Sequence, residues 1–201
     1  MRTSIATTLA LGVLLTLSAC VSTTLTERWK DASYSAAPLH KVLVVGVQRD
    51  QGRRRIWEDA MVAALAHRGV QAEASYQVFP DQAPSPDQLG TIATRDGFDG
   101  VVATHFVSSS QRAYIEPYAG WGCRWRCGWG WPGYGGEYVE SETLTDYQTD
   151  VFTVDAGGGK LIWSGVTRSL DPSSTTRVTE EISRVLLPNL IKDGILMGKK
   201  S

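Results

Sequence analysis

Two apolar runs, at positions 41–47 and 100–107, constrain the fold of this chain more than any other feature. The first run, Lys-Val-Leu-Val-Val-Gly-Val, does not alternate between apolar and polar residues. A strand with one solvated face would alternate, so this continuous β-branched run predicts a strand buried on both faces. We therefore expect residues 41–47 at the centre of a sheet. The second run predicts another strong strand, and its lone His105 is interpreted as a packed or surface residue rather than a ligand.

Apolar residues at helical spacing predict three helices, over residues 53–68, 85–97 and 175–193. The first carries Trp57 on its apolar stripe and ends at Gly69, in the position of a left-handed cap. The second begins with a capping box formed by Ser85 and Gln88. The third contains Pro188, which should kink it.

The remaining strands are predicted at about 71–79, 138–154 and 161–167. In the long alternating stretch 138–154, acidic residues point one way and apolar residues the other, which predicts one solvated and one packed face. A glycine-rich turn at 155–160 then makes a hairpin with the last strand. Early βαβ crossovers imply parallel pairs and the hairpin implies antiparallel pairs. The fold class is therefore α/β (α+β), a single domain with a mixed four- to five-stranded sheet, three packed helices and the order β-α-β-α-β-β-β-α.

The amino-terminal segment carries a targeting signal. Arg2 precedes an apolar run at 5–17 that is too short to span a membrane. The run ends in Leu-Ser-Ala-Cys at positions 17–20, which resembles the lipobox of bacterial lipoproteins. This resemblance implies cleavage before Cys20, acylation of that cysteine with lipid such as palmitate, and, because Val21 rather than Asp follows, transfer to the outer membrane. Three acyl chains would give an anchor that hardly dissociates.

These boundaries divide the chain into a signal peptide at 1–19, a flexible Ser/Thr/Ala-rich tether at 20–37 and one domain at 38–201. Removal of residues 1–19 would take away only one charged residue, Arg2, and leave 19 basic against 21 acidic side chains. Nucleic acid is excluded as a partner, because neutralising phosphates needs a basic excess or a dense basic patch. The three arginines at 53–55 are interpreted as a solvated helix face with i,i+4 carboxylate partners.

The segment 118–137 is unlike the rest of the chain. It contains four of the seven tryptophans, with glycine at nearly every second position, which prevents a stable helix or regular strand. Some rings should be exposed, as on surfaces that bind protein, sugar rings or a membrane interface. The alternative is that the loop folds back over an open face of the sheet. The candidate partner-binding residues are Trp121, Trp125, Trp129, Trp131 and Tyr134.

The same segment holds Cys123 and Cys127, the two cysteines that remain once Cys20 is assigned to lipid. An even pair in an oxidising compartment favours a disulfide. Because the closed loop is short, the bond is expected to shape the loop rather than hold the fold.

No catalytic, cofactor or metal site is predicted. The glycines of this segment match a dinucleotide fingerprint by spacing, but no helical pattern follows them. The three histidines are dispersed, no Cys/His set has zinc-ligand spacing, and no nucleophile elbow occurs. We therefore expect a protein that is not an enzyme and uses no cofactor.

Together, the lipobox, the following segment, the Val-rich strand, the Gly/Trp loop and the return strand at 160–165 resemble envelope lipoproteins of Gram-negative bacteria. Their domains look similar to those of the curli-secretion lipoprotein and the lipoprotein activators of penicillin-binding proteins, over most of residues 38–194. The resemblance implies an outer-membrane-anchored interaction or assembly factor whose domain faces the periplasm and binds an envelope protein. The alternative is a module that stacks peptidoglycan or polysaccharide rings on the Trp loop.

Overall fold

The computed structural model describes residues 23–85, 88–89, 91, 95–117, 137–155 and 158–198. In these ranges six strands form one sheet, with two α-helices and a short 3₁₀ turn at Ser75–Gln77. The strands are β1 (Thr23–Lys30), β2 (Lys41–Val47), β3 (Gln71–Ala74), β4 (Gly100–Pro117), β5 (Glu137–Asp155) and β6 (Gly158–Leu170), and the helices are α1 (Gln51–His67) and α2 (Thr175–Lys192).

The sheet is mixed, with strand order β1-β6-β5-β4-β2-β3. Strand β2 pairs in parallel with both β3 and β4, whereas β4, β5, β6 and β1 pair successively antiparallel. The prediction of a mixed sheet from early crossovers and a late hairpin is confirmed. Strand β3 is an edge strand, as its polar sequence indicated, but it ends at Ala74 rather than near Phe79.

The predicted number of strands is wrong, because the segment assigned to a tether contributes β1. Thr23–Lys30 pairs antiparallel with β6 along the sheet edge. Its Ser/Thr-rich composition suggested a linker, but threonine is β-branched and favours strands. Thr23 is buried, and its hydroxyl lies 2.8 Å from that of Ser169 and donates to Glu181 at 3.1 Å. The residues that make these contacts are distant from Thr23 in sequence, so local composition does not reveal them.

The predicted number of helices is also wrong: within the described residues, the fold has the two helices α1 and α2, not three. The capping box itself is present. The amide of Ser85 donates to Gln88 Oε1 at 2.9 Å, and the amide of Gln88 lies 3.4 Å from Ser85 Oγ. The described residues that follow it, 88–89, 91 and 95–96, have helical backbone but belong to neither α1 nor α2.

Strand β2 is buried on both faces as predicted, but it lies second from the sheet edge rather than at the centre. Val42 and Val44 face the larger core, which both helices cover. Leu43 and Val45 face a smaller cluster with Phe98. A strand therefore needs covering layers on both sides, not a central position, to produce a continuous apolar run.

The interpretation of the three arginines as a solvated face is wrong for Arg54. Arg54 and Glu58 are fully buried, and Arg54 Nε donates to Glu58 Oε1 at 2.9 Å. Arg54 also donates to Ser75 Oγ and to the Phe79 carbonyl. The pair ties α1 to the segment after β3. The predicted i,i+4 pairing of Arg54 with Glu58 is confirmed, but the two side chains are buried rather than solvated.

Candidate functional site

The first candidate site is a two-stranded ribbon that continues beyond the sheet. Pairing of β2 with β4 ends at Val47 and His105, and pairing of β5 with β6 begins at Leu144. Farther out, residues 112–117 pair only with residues 137–142 among the described strands, over six rungs. At about 3.4 Å per residue, this ribbon reaches roughly 20 Å past its neighbours.

The base of the ribbon is fixed to the domain. Asp171 accepts a hydrogen bond from the Thr143 amide at 2.7 Å, and its own amide donates to the Thr143 carbonyl at 2.8 Å. Side chains from Phe106 to Ala113 along β4 are exposed. A two-stranded ribbon without a third strand is marginally stable in water. The ribbon therefore adds little to the stability of the core.

The two strands of the ribbon bracket the Gly/Trp segment. The predicted partner-binding and disulfide residues lie outside the described residues, as does the predicted lipidation site: Trp121, Cys123, Trp125, Cys127, Trp129, Trp131, Tyr134 and Cys20. The structure places Pro117 and Glu137, the residues on either side of this segment, together at the far end of the ribbon.

The ribbon leaves the sheet at the end where the described chain enters it. Thr23, the first residue of β1, pairs with Ser169 of β6, Ser169 with Thr145 of β5, and Thr145 with Ser109 of β4. This row of paired residues crosses the sheet directly before the ribbon begins. The start of β1 and the base of the ribbon therefore lie at one end of the sheet.

The second candidate site is an open cleft of about 1140 Å³ at the carboxyl end of β2, beside His105 and Phe106 of β4. Ligands of open α/β sheets commonly bind at the carboxyl ends of the strands. The first turns of α1 and α2 both border the cleft, with N-caps Asp50 and Ser174. Each N-cap side chain accepts one backbone amide, and neither helix has an acidic residue in its first turn.

Two arginines give the cleft a positive wall. Arg49 and Arg53 both line it, and within the described part of the chain neither makes a salt bridge or a side-chain hydrogen bond. The positive ends of the two helix dipoles reinforce this charge. Asp50 is the acidic residue among the lining side chains, and it is engaged as a cap on the Arg53 amide at 2.7 Å.

Aromatic rings form the apolar wall of the cleft. Trp57 stacks on Tyr147 with centroids 5.5 Å apart, and Phe106 meets the Tyr147 ring edge-on at 6.2 Å. Burial raises the pKa of the Tyr147 hydroxyl above 10.0, although nearby Arg53 opposes the shift. Trp57 is 1% exposed, and its indole nitrogen has no hydrogen-bond partner among the described residues.

The cleft was not predicted from the sequence. A local signal existed, because Arg49 and Arg53 follow directly after a buried parallel strand and open a helix. Tyr147 and Ser174 reach the same place through β5 and the α2 N-terminus, which no local pattern reveals. His105 also borders the cleft and is half-buried, in line with a packed or surface residue.

Among the residues that the structure describes, no group of three or more His, Cys, Asp or Glu side chains could hold a metal ion. No helix in those ranges is long and apolar enough to cross a membrane.

Comparisons with known proteins show distant structural likeness. No family model matches the chain, and no curated protein matches it. The PelC dodecamer from Paraburkholderia phytofirmans is 12% identical, with 80% of this chain and 94% of that chain aligned at a TM-score of 0.44. A variant of that dodecamer is 13% identical, with 82% of this chain and 94% of that chain aligned at a TM-score of 0.41. A PDZ domain protein from Parabacteroides distasonis is 6% identical, with 80% of this chain and 35% of that chain aligned at a TM-score of 0.35. Likenesses at this level transfer neither an activity nor an oligomeric state to this chain.

Proposed function

We propose that this chain is a lipid-anchored outer-membrane protein that acts by binding a protein partner in the cell envelope, without catalysis. The observation that carries the proposal is the ribbon formed by residues 112–117 and 137–142. It extends the chain beyond the sheet while adding little to the core, and it carries the segment with four tryptophans. Exposed aromatic residues are frequent anchors of protein interfaces.

The direction of the ribbon specifies where this partner should be. If Cys20 is acylated, β1 begins three residues after the lipid, so the end of the sheet with Thr23 lies close to the membrane. The ribbon starts at the same end. Its tip, roughly 20 Å farther out, would therefore meet a partner held at the membrane surface rather than one free in the periplasm.

Lipidation is tested with Cys20→Ala. The wild-type protein should incorporate radioactive palmitate and lose its signal peptide, whereas the variant should remain an unlabelled precursor. Equal labelling of the two proteins would remove the anchor from the proposal.

Partner binding is tested by in-cell crosslinking with a photoreactive residue at Trp125, followed by mass spectrometry. The matched control places the same residue at Arg184, which is exposed on α2 at the helical side of the domain. A specific envelope protein should be captured from position 125 and not from 184. The same adducts at both positions, or none at 125, would contradict the proposal.

Glycan binding is the competing function, because sugar rings also stack on tryptophan. Purified, protein-free sacculi separate the two. Retention of the protein on such sacculi that is lost in Trp125→Ala/Trp129→Ala would replace the protein partner by peptidoglycan.

The same double variant also tests whether the loop covers the sheet. Truncating a buried aromatic residue costs about 3–5 kcal/mol, whereas truncating an exposed one costs little. An unchanged melting temperature is expected. A large fall would mean that the rings belong to the core and not to a binding surface.

A further inference from the structure

We propose that the cleft at the carboxyl end of β2, beside His105 and Phe106 of β4, binds an oxyanion, phosphate or carboxylate, carried on an apolar or aromatic body. This site is separate from the ribbon and does not depend on the proposed partner binding. The two halves of the ligand correspond to the two walls of the cleft.

The positive wall accounts for the oxyanion. Arg49 and Arg53 both line the cleft, and neither has a salt bridge within the described residues. The guanidinium group binds carboxylate and phosphate in a two-pronged geometry. The first turn of a helix leaves backbone amides without intrahelical partners, and Asp50 and Ser174 each satisfy only one of them. Two such turns meet here, so charge and amide donors face the same space.

The aromatic wall accounts for the apolar body. Phe106 is 52% exposed and Val47 is 49% exposed, although both border a concave surface. Tyr147 presents its ring between Phe106 and Trp57. A ring or acyl chain placed against these groups would leave water, which is favourable by about 25 cal/mol per Å² of apolar area.

Trp57 supplies an independent indication of a missing partner. Buried indole N–H groups normally donate a hydrogen bond. Trp57 borders the cleft, yet its Nε1 is buried and has no acceptor among the described residues. An oxyanion-bearing ligand supplies acceptor atoms for such a donor.

The two walls of the cleft argue against two simpler ligands. A purely apolar ligand would leave both arginines and the helix amides unpaired, and a bare inorganic anion would leave the aromatic wall in water. The volume of about 1140 Å³ is also large for a bare anion and is comparable with that of pockets for small organic molecules.

The test uses the full-length protein in phosphatidylcholine nanodiscs and titrates it by calorimetry with three probes. Phenyl phosphate has both halves of the ligand, inorganic phosphate has only the anion, and phenyl β-glucoside is a neutral aromatic compound. We expect phenyl phosphate to bind most tightly, with an affinity that falls as salt is added. Absence of phenyl phosphate binding, or equal binding of either other probe, would overturn the proposal.

Charge variants then locate the binding. Arg49→Gln/Arg53→Gln should weaken phenyl phosphate binding about tenfold or more, since hydrogen bonds to charged groups are the stronger class. The matched control, Arg55→Gln/Arg68→Gln, removes the same charge from α1 and its C-cap, outside the cleft. It should bind like the wild type. Equal affinity of the two double variants, with unchanged melting temperatures, would contradict the site.

An aromatic variant tests the other wall. Phe106→Ala should weaken the binding of phenyl phosphate several-fold and leave the binding of inorganic phosphate unchanged, because only the phenyl group of the probe would contact the Phe106 ring. An unchanged affinity for phenyl phosphate would contradict the role of the apolar wall.

The source of the oxyanion is distinguished with nanodiscs that contain phosphatidylglycerol. Weaker phenyl phosphate binding in these discs, restored in neutral discs, would support the site and identify a lipid headgroup as its occupant. Unchanged binding would support the site for a soluble anion.

Discussion

At the scale of single residues, the most demanding contact is the buried pair of Arg54 and Glu58. Glu58 accepts hydrogen bonds from Arg54, from the Ser75 hydroxyl and from the backbone amides of Gly46 and Tyr76. Both side chains are fully buried, so removing either charge would leave the other without compensation. The pair holds β2, α1 and the turn after β3 in one arrangement.

We expect Glu58→Gln to destabilise the protein by about 3–5 kcal/mol, because the Arg54 charge would remain buried and unpaired. Urea unfolding would measure the change. Glu180→Gln is the matched control, since its ion pair with Arg184 is exposed and spans 3.9 Å. This control should change stability by less than about 0.5–1 kcal/mol. Equal stability of the two variants would contradict the structural role of the buried pair.

A second residue-scale prediction concerns Asp31, just after β1. A hydrogen bond from Lys160, supported by two from Ser33, lowers the pKa of the Asp31 carboxyl from 3.8 to about 2. Because the folded pKa lies below the unfolded one, this stabilisation is complete above pH 3.8 and is lost as the pH falls through about 2.

Carbon NMR of the Asp31 carboxyl should therefore show a midpoint near 2 in the wild type. In Lys160→Met the midpoint should rise towards the ordinary value, although Ser33 would still donate. Lys192→Met, a lysine in the last turn of α2, should leave it unchanged. The same midpoint in both variants would show that Lys160 does not hold this carboxylate.

At the scale of elements, the sequence predicted those with a buried face and missed those without one. Strand β2 and helix α1 were found because apolar spacing reports burial directly. The outer half of β4, residues 108–117, was missed because its side chains as far as Ala113 are exposed, so no apolar periodicity reveals the strand. Arg54 could have been placed inside, since it lies three residues before Trp57 and seven before Met61 on the apolar stripe.

Strand β1 gives a direct test at this scale. If Thr23–Lys30 pairs with β6, backbone amides that face β6 should exchange with deuterium at least about a hundredfold more slowly than in an unstructured peptide, while amides facing solvent should not. Hydrogen exchange by NMR on the full-length protein would show this alternation. Uniformly fast exchange across the segment would restore the flexible tether and remove β1 from the sheet.

At the scale of the whole molecule, three features converge on one end of the sheet. The chain enters there at Thr23, the ribbon starts there, and the cleft opens beside His105 and Phe106. The first two positions could not be deduced from the sequence, because they depend on strand register across β1, β6, β5 and β4. The cleft had only the local signal of Arg49 and Arg53 after β2. The opposite end of the sheet, where β5 ends and β6 begins, has none of these three features among the described residues.

Excision of the ribbon tests the separation of binding and folding. Gln111 and Thr143 are directly paired, so residues 112–142 can be replaced by a two-residue Asn-Gly turn. The Thr143–Asp171 hydrogen bonds remain, and we expect an unchanged melting temperature. A photoreactive residue is placed at exposed Ser109 in both the intact protein and the excised variant. The excised variant should no longer capture the partner that the intact protein captures. A large drop in stability would mean that the excised segment packs on the domain.

The last prediction concerns the height of the domain above the membrane. Because β1 starts three residues after Cys20, an acylated cysteine would fix the ribbon at one distance from the bilayer. Inserting about 20 Gly/Ser residues after Val21 would add a spacer with a mean span of roughly 25 Å, similar to the ribbon's own reach. Folding should be unaffected, and partner capture at Trp125 should fall because the tip no longer stays at the membrane surface. The control inserts the same spacer after Gly198, beyond α2, and should preserve capture. Equal capture by both variants would contradict a partner held at that surface.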